Sequence, residues 1–308
     1  MSFVLAIHGG AGTIPPGADE APYHAAMLRA LRAGEAVLVQ GGCALDAVVA
    51  AVKVMEDVPL FNAGHGAVFT DAGDHELDAS VMDGSTLAAG AVATVRHVKN
   101  PILAAQAVLK DGRFVLLGAQ GADNFARDAG LEVVPNEYFS TAHRLEQLKA
   151  VQAQTPGRAV LDHSGASVQS ARFGTVGAVA LDLAGHLAAA TSTGGMTNKR
   201  AGRIGDTPLV GCGVYANDAS CAVSATGTGE HFIRACVAYD VHARMVYGGM
   251  SLDAAANAVL EGPLTAIGGE GGFVALGRDG SVAMPFNSTG MYRGVVRQGE
   301  QPTTLVFQ

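Results

Sequence analysis

The chain has 308 residues, of which 49% are hydrophobic and 16% charged, a balance typical of a globular protein with a large core. Its formal net charge of −8 argues against a general nucleic-acid binder. No apolar run is long enough to span a membrane, so we expect no membrane partner. The four cysteines form no C-x-x-C pair, and Met1 leads directly into a short apolar strand. We therefore expect a cytoplasmic protein with reduced thiols.

The first half of the chain is predicted to run from a strand through helices to short strands and further helices. The strand Phe3–His8 is expected to end in a glycine turn over 9–13. That turn lacks the lysine and the G-x-G-x-x-G spacing of phosphate-binding loops, so it is only a weak indication of nucleotide binding. Apolar periodicity predicts helices over 20–40, 44–55, 101–109, 122–129 and 142–152, with short strands within 67–95 and at 114–118.

The junction Gly174–Thr175 separates two kinds of sequence. Residues 154–173 are turn and coil residues without a sustained period, whereas small and β-branched residues alternate after Thr175 as in a buried strand. Cleavage of this peptide bond would give Thr175 a free α-amine, whose pKa of about 7.7–8.0 leaves much of it neutral near pH 7–8. The residue would then carry a nucleophile and its own general base. The alternative is a strand that merely begins with Gly-Thr.

The second half repeats the order of strands followed by helices. Strands are predicted at 175–182, 187–193, 213–216, 219–225, 273–277, 281–285 and 290–296, with helices over 230–247 and 252–260. Mixed, mainly antiparallel strands with clustered helices favour an α/β (α+β) fold of layers, with helices outside and sheet inside.

Arg203 and Asp206 lie in the polar loop 194–211, three residues apart around Gly205. A guanidinium matches a carboxylate and an aspartate matches an ammonium, so the pair could bind the α-carboxylate and α-amine of an amino acid. The alternative is a solvated surface pair of little energetic value.

Thr226 and Gly227 stand where a strand passes into a helix. There the Thr226 hydroxyl and the Gly227 amide are candidates to stabilise the oxyanion formed when Thr175 attacks a carbonyl. An alternative makes Thr228 a helix N-cap and the neighbouring glycines a turn. The ten histidines form no H-E-x-x-H or zinc spacing, and no G-x-S-x-G elbow indicates a serine triad; packing roles are favoured for His8 and His65.

Motifs in one order along nearly the whole chain resemble the plant-type L-asparaginase / isoaspartyl peptidase family of N-terminal-nucleophile hydrolases. These motifs are His8-Gly9-Gly10-Ala11-Gly12, Leu60-Phe61-Asn62-Ala63-Gly64, His75-Glu76-Leu77-Asp78-Ala79, Met82-Asp83-Gly84, Gly174-Thr175-Val176-Gly177-Ala178-Val179-Ala180, Thr191-Ser192-Thr193-Gly194-Gly195, Gly202-Arg203-Ile204-Gly205-Asp206 and Thr226-Gly227-Thr228-Gly229-Glu230. Their joint spacing favours the catalytic interpretation of Gly174–Thr175.

The resemblance implies one N-terminal-nucleophile hydrolase domain over 1–308, a four-layer αββα sandwich with two stacked, mainly antiparallel sheets between helix layers. It implies autocleavage into an α subunit, 1–174, ending in a flexible linker over 154–174, and a β subunit, 175–308. Family members are usually dimers of αβ units. The implied substrates are L-asparagine and β-aspartyl dipeptides, hydrolysed through a β-aspartyl-threonine ester.

The resemblance also implies the role of each site residue. Thr175 would be the nucleophile, with Thr193 hydrogen-bonded to its hydroxyl and Asn62 buried nearby. Arg203 and Asp206 would bind the substrate's α-carboxylate and α-amine, Gly229 would add a backbone contact, and Thr226 and Gly227 would form the oxyanion hole. No organic cofactor is implied. A structural sodium ion would be bound by the backbone carbonyls of Met55, Glu56, Val58, Phe61, Ala63 and His65.

Other activities fit the residues less well. A glycosylasparaginase would carry an acidic residue before the threonine, where this chain has Phe173-Gly174. A threonine aspartase would carry a long basic insertion that this chain lacks. A non-catalytic amino-acid sensor would have a damaged nucleophile or oxyanion hole, and both are intact in the sequence. One departure from the family pattern is Arg200-Ala201, where a more apolar pair is expected.

Overall fold

A computed structural model of the chain describes residues 2–12, 14, 19–154 and 174–308. Residues 155–173 of the predicted linker therefore lie outside the described residues. The strands are β1 (Val4–Gly12), β2 (Leu77–Asp83), β3 (Ala89–Val95), β4 (Leu116–Gly118), β5 (Val176–Leu181), β6 (Leu187–Thr193), β7 (Val214–Ala216), β8 (Cys221–Gly227), β9 (Gly271–Gly277), β10 (Val282–Ala283), β11 (Gly290–Arg297) and β12 (Thr303–Leu305).

Helices connect these strands in groups, as the clustered apolar periodicity predicts. They are α1 (Ala21–Val39), α2 (Ala44–Glu56), α3 (Pro101–Asp111), α4 (Ala119–Asp128), α5 (Ala142–Gln154), α6 (Gly229–Ala235), α7 (Val237–Val246) and α8 (Leu252–Val259), with a 3₁₀ turn at Asn136–Phe139 and a π turn at Leu260–Leu264. A mixed α/β protein is thus confirmed.

The larger of the two sheets has the strand order β12-β11-β1-β5-β6-β2-β3-β4. Its pairings are antiparallel except for the parallel pair β3–β4. Strand β5, which begins immediately after Thr175, lies between β1 and β6 near the middle of the sheet. Segments from before and after Gly174–Thr175 are therefore neighbours in one hydrogen-bonded sheet.

The smaller sheet, with strand order β10-β9-β8-β7, packs face to face on the larger one. Strand β5 shows how sequence supports this arrangement, because both of its faces are buried. Val176, Ala178 and Ala180 belong to one apolar core, which also contains residues of α1, α2 and α3. Val179 and Leu181 belong to a second core, which contains residues of the smaller sheet, α7 and α8. An uninterrupted apolar strand is what such a position requires.

Several predicted boundaries are shifted by two or three residues, such as helix 122–129, which is Ala119–Asp128, and two predicted elements are wrong in a larger way. Strand β1 does not end at His8 but continues to Gly12, because it pairs with β11 on both sides of a register shift between His8 and Gly10. The predicted helix 230–247 is two helices, because Cys236 adopts a left-handed conformation, with φ of 46°, between α6 and α7. Among the described residues no helix combines the length and apolarity needed to cross a membrane.

Candidate active site

Thr175 lies directly before β5 and is 93% buried, with a relative exposure of 7%. Its Oγ1 donates a hydrogen bond of 3.0 Å to Oγ1 of Thr193, the last residue of the neighbouring strand β6. The Thr193 oxygen also accepts a 3.0 Å hydrogen bond from the backbone N–H of Gly195. The antiparallel register, with Val176 opposite Ser192, brings the two threonines together at the same edge. The structure thus places the predicted nucleophile and its predicted partner in contact.

Asn62 supports this pair through the loop that follows β6. Its Nδ2 donates to the Gly195 carbonyl at 2.7 Å, and its backbone carbonyl accepts from the Gly194 N–H at 3.0 Å. Its Oδ1 accepts from the Val68 N–H at 3.0 Å. Asn62 is buried and uses both ends of its amide group. It therefore fixes the loop whose amide donates to Thr193.

The peptide before Thr175 is enclosed by glycine backbone and by Thr226. A methyl group placed on Gly174 would lie 2.8 Å from Thr226 Oγ1, and one placed on Gly10 would lie 2.5 Å from the Gly174 nitrogen. Thr226 is fully buried, and its Oγ1 accepts a hydrogen bond of 3.3 Å from the Ala11 N–H. Gly10 has φ of 108°, a conformation that favours glycine. The bulge in β1 thus allows its backbone to approach the Gly174–Thr175 junction closely.

Arg203 and Asp206 converge on Gly229. A methyl group at Gly229 would lie 3.0 Å from Arg203 Nη2 and 2.9 Å from Asp206 Oδ1, so the absence of a side chain leaves space between the two charges. Arg203 forms its ion pair with Glu230, however, through Nε to Oε1 and Nη2 to Oε2, each at 2.8 Å. The structure therefore brings the two predicted residues together at Gly229, with Glu230 paired to Arg203 beside them.

Asp206 has the electrostatic character of a site for a cation. It is buried, and within the described part of the chain its Oδ2 has no hydrogen-bond partner. Burial raises the pKa of its carboxyl to about 7, although the positive charge of Arg203 opposes this shift. A substrate ammonium would supply the missing partner and favour the ionised carboxylate.

Gly227 and Thr228 lie where β8 passes into α6. Gly227 has φ of 155°, and a side chain there would collide with the Glu270 carbonyl. Thr228 occupies the N-cap position of α6 but makes no capping hydrogen bond with its side chain, which instead donates to the Glu270 carbonyl at 3.3 Å. Thr228 is thus the N-cap residue that the alternative interpretation gives, although its hydroxyl binds the turn before β9 and not the helix N-terminus.

A buried polar network lies beneath β5. His8 Nε2 is 2.9 Å from Ser224 Oγ, which is 2.7 Å from Thr191 Oγ1. Burial lowers the pKa of His8 to about 3, opposed by the backbone of Thr175, so its imidazole is neutral at physiological pH. A methyl group on Gly177 would collide with Ser224 Oγ and lie 2.5 Å from His8 Nε2. This contact between the sheets fits the packing role expected for His8.

The loop 55–65 begins at the end of α2 and is closed by a hydrogen bond of 2.7 Å from the His65 N–H to the Glu56 carbonyl. The Glu56 side chain points elsewhere: its Oε1 accepts from Ser192 Oγ at 2.6 Å and from the Ile102 N–H at 3.0 Å. Gly64, with φ of 51°, sits against the Glu56 carbonyl with no room for a side chain. No cluster of three or more His, Cys, Asp or Glu side chains suited to a metal occurs among residues 2–12, 14, 19–154 and 174–308.

Sequence reasoning missed the site roles of Glu230, Ser224, Thr191 and Gly10. In the sequence Glu230 is the last residue of the motif Thr226-Gly227-Thr228-Gly229-Glu230. Its local pattern does not indicate Arg203, 27 residues away, as its partner. Ser224 and Thr191 occur in alternating strand sequence, where a buried hydroxyl looks like any other inward position. Gly10 belongs to the predicted glycine turn over 9–13, and the sequence does not indicate its close neighbour, Gly174.

Comparison with known proteins gives a single family over almost the whole chain. The family model described as "Asparaginase" matches residues 1–306. An isoaspartyl peptidase of Escherichia coli K12 is 54% identical over an alignment that covers 99% of this chain and 96% of the relative. A probable isoaspartyl peptidase/L-asparaginase 2 of Arabidopsis thaliana is 39% identical, with 95% of each chain covered. An isoaspartyl peptidase/L-asparaginase of Danio rerio is 40% identical, with 96% and 93% covered.

Proposed function

Because the chain belongs to the asparaginase family, we propose that it is an amidohydrolase that cleaves the side-chain amide of L-asparagine and the isopeptide bond of β-aspartyl dipeptides. Both substrates present the same α-amino-acid end and differ only in the leaving group. The observation that carries the proposal is the convergence of Arg203 and Asp206 on the side-chain-free space at Gly229, in the same chain as the contact between Thr175 and Thr193.

Thr175 acts as nucleophile once the peptide bond before it has been cut. Its neutral α-amine takes the proton of the hydroxyl, and Oγ1 attacks the side-chain amide carbonyl of the substrate. The Thr226 hydroxyl and the Gly227 amide stabilise the oxyanion, and ammonia or an amino acid leaves with a proton returned by the amine. Water then hydrolyses the β-aspartyl ester. Thr193 orients the attacking hydroxyl throughout, since its own oxygen is fixed by the Gly195 amide.

Autocleavage uses the same hydroxyl on a different carbonyl. In the uncut chain Thr175 Oγ1 attacks the carbonyl carbon of Gly174, the bond to the Thr175 nitrogen breaks, and water hydrolyses the resulting ester. The position of Thr226 Oγ1 beside Gly174 supports this step, because the group that stabilises the substrate oxyanion is then already near the scissile peptide. The products are an α subunit, 1–174, with a linker over 154–174, and a β subunit, 175–308.

The wider arrangement follows the family. Two stacked sheets between helix layers would form a four-layer αββα sandwich of the N-terminal-nucleophile type, in one domain over 1–308. Support comes from the contacts of α2 and α3 with the larger sheet and of α7 and α8 with the smaller one. A cytoplasmic location and a dimer of αβ units stay predictions.

A structural sodium ion in the loop 55–65 is part of the proposal. The backbone carbonyls that would hold it belong to Met55, Glu56, Val58, Phe61, Ala63 and His65. An all-oxygen donor set suits a hard cation. The Glu56 carbonyl already accepts a hydrogen bond of 2.7 Å from the His65 N–H, so it would bind the ion through its second lone pair. The midpoint of thermal unfolding should rise with sodium chloride and not with choline chloride at equal ionic strength. Equal midpoints in the two salts would contradict the proposed sodium site.

The experiment that tests the function compares release of aspartate from asparagine with its release from β-aspartyl-leucine, using the purified, processed protein. Both should be hydrolysed, and Thr175→Ala should hydrolyse neither. N-glycosylated asparagine serves as the comparison substrate. Turnover of that compound alone would instead make the chain a glycosylasparaginase, and turnover of none of the three would refute the proposed activity.

A further inference from the structure

Glu230 is in contact with the substrate-binding arginine although it faces no part of the reaction centre directly. Its two carboxylate oxygens accept from Nε and Nη2 of Arg203, both at 2.8 Å, in the bidentate geometry of a strong ion pair. A guanidinium has five N–H donors, arranged along a Nε–Nη edge and a Nη–Nη edge. Glu230 occupies the first edge, and among the described residues no hydrogen bond is made by the second edge of Arg203.

The free edge of Arg203 faces backbone without side chains. Its Nη1 would be 2.8 Å from a methyl group on Gly205, and its Nη2 would be 3.0 Å from one on Gly229. Asp206 borders the same space, since its Oδ1 would be 2.9 Å from the methyl group on Gly229. Nη2 keeps a second N–H beside its bond to Glu230, and this atom borders the space at Gly229 that Asp206 also borders. Both N–H groups of Nη1 complete the second edge.

Burial and charge distinguish the two members of the pair. The Arg203 side chain is 16% exposed, whereas that of Glu230 is 50% exposed. The carboxylate therefore contacts the guanidinium from its solvent-exposed side. Partial burial would raise the pKa of Glu230, but the hydrogen bonds from Arg203 outweigh it and the pKa is lowered. Glu230 is therefore an anion at neutral pH and a lasting partner for the arginine.

We propose that Glu230 is a positioning residue for substrate recognition: its carboxylate fixes one edge of Arg203 so that the other edge is presented to the α-carboxylate of the substrate. The inference rests on the proposed function, because it assigns Arg203 to that carboxylate. An arginine without this anchor would have to order its long side chain on binding, which weakens affinity and leaves the chemistry at Thr175 unchanged.

The opposite role makes a contrary prediction. If Glu230 occupied the position of the substrate carboxylate, it would compete with substrate, and its removal would lower KM. The positioning role predicts that Glu230→Ala raises KM for asparagine about 10- to 100-fold, the effect of losing hydrogen bonds to a charged group, with kcat changed less than about twofold. Glu230→Gln keeps one acceptor oxygen, so its KM for asparagine should lie between those of Glu230→Ala and the parent protein.

The test measures kcat and KM for asparagine and for asparagine methyl ester, which lacks the α-carboxylate. The preference of Glu230→Ala for asparagine over the ester should fall by the same factor as its KM for asparagine rises. Glu300→Gln, in the exposed turn between β11 and β12, removes an equal charge elsewhere and should keep the parent values. A lower KM in Glu230→Ala, or equal losses on both substrates, would overturn the proposal.

Two further measurements separate failure of this inference from other failures. A denaturing gel shows whether each variant is cut before Thr175, and Glu230→Gln serves for the kinetics if Glu230→Ala does not fold. Calorimetric titration with L-aspartate reports binding without turnover. If the parent protein binds L-aspartate but hydrolyses none of the substrates, only the proposed function is refuted. If the parent protein and Glu230→Gln bind L-aspartate with equal affinity, the role of Glu230 is refuted.

Discussion

Single hydroxyl and carboxyl groups acquire their chemistry from a few close neighbours. Thr193 has its oxygen fixed by the Gly195 amide, and Asn62 holds the loop that carries this amide. The Thr175 hydroxyl is therefore oriented by a short chain of hydrogen bonds, and the partner that it donates to among the described residues is the uncharged hydroxyl of Thr193. The α-amine released by cleavage would supply that base.

Asp206 leads to a prediction about pH. Its raised pKa of about 7 means that it is neutral, and unable to bind an ammonium, in more acid solution. The Thr175 amine, with a pKa of about 7.7–8.0, must also lose a proton to act as base. Below pH ~7 the logarithm of kcat/KM should therefore rise by ~2 per pH unit in the parent protein, because kcat/KM reports ionisations of the free enzyme.

Asp206→Asn retains only the ionisation of the amine, so its slope should be ~1 over the same range. Its kcat/KM should be lower than that of the parent above pH ~7, and the difference should narrow as the pH falls. The check is a pH profile of kcat/KM for asparagine in both proteins. Identical slopes would show that Asp206 does not titrate in the functional range.

At the scale of elements, β5 has to fit between two sheet neighbours and beneath a second sheet. The packing is tightest at Gly177, which lies opposite His8 of β1. A side chain at 177 would collide with Ser224 of β8. The close approach of the two sheets at this point brings the start of β5, and with it Thr175, near the Thr226 end of β8.

Gly177→Ala should force these elements apart and lower the free energy of unfolding by about 1–3 kcal/mol, the usual cost of overpacking a core. Gly121→Ala is the matched control, since a methyl group at this exposed position of α4 would meet nothing within 4 Å. An alanine there should leave stability unchanged or raise it by about 0.4–1 kcal/mol. Circular dichroism gives the midpoint of thermal unfolding for the parent protein and for both variants. An unchanged midpoint for Gly177→Ala would contradict the described packing.

The elements with strong local signals could be predicted from the sequence, and those fixed by distant partners could not. Helix α2 and strand β6 lie where their periodicity indicates, because burial of an apolar stripe or face determines both. The continuation of β1 past His8 depends on pairing with β11, almost three hundred residues later in the chain. The break at Cys236 is a single left-handed residue, which apolar periodicity does not reveal.

The candidate site shows the same division. Thr175, Arg203 and Asp206 could be named as candidates because residue type and close spacing suggest their chemistry, and the family resemblance then favoured those roles, which stay predictions. Glu230 could not, because its role depends on a contact between a loop and a helix start that only the folded chain brings together.

For the molecule as a whole, the order of strands determines what cleavage can do. Strand β1 lies before the proposed cleavage point, yet in the larger sheet it is flanked by β11 and β5 from after it. Strand β6, from after that point, pairs with β2 from before it. The two subunits would therefore share one sheet and its cores, and cutting Gly174–Thr175 would break no pairing between strands.

The processed protein should accordingly behave as one folded body. The two chains should elute together in gel filtration under native conditions, unfold in a single cooperative transition, and separate only in denaturant. Size-exclusion chromatography followed by a denaturing gel of each fraction checks this. Separate native elution of the two chains would contradict the interleaved sheet.

Thr175 is proposed to become an N-terminal residue and to carry out catalysis in that form. N-terminal sequencing of the active preparation tests this most directly. We expect a second N-terminus that reads Thr-Val-Gly-Ala, with amide hydrolysis increasing in proportion to the cut fraction. Full activity in a preparation whose chains are all intact at Gly174–Thr175 would contradict it.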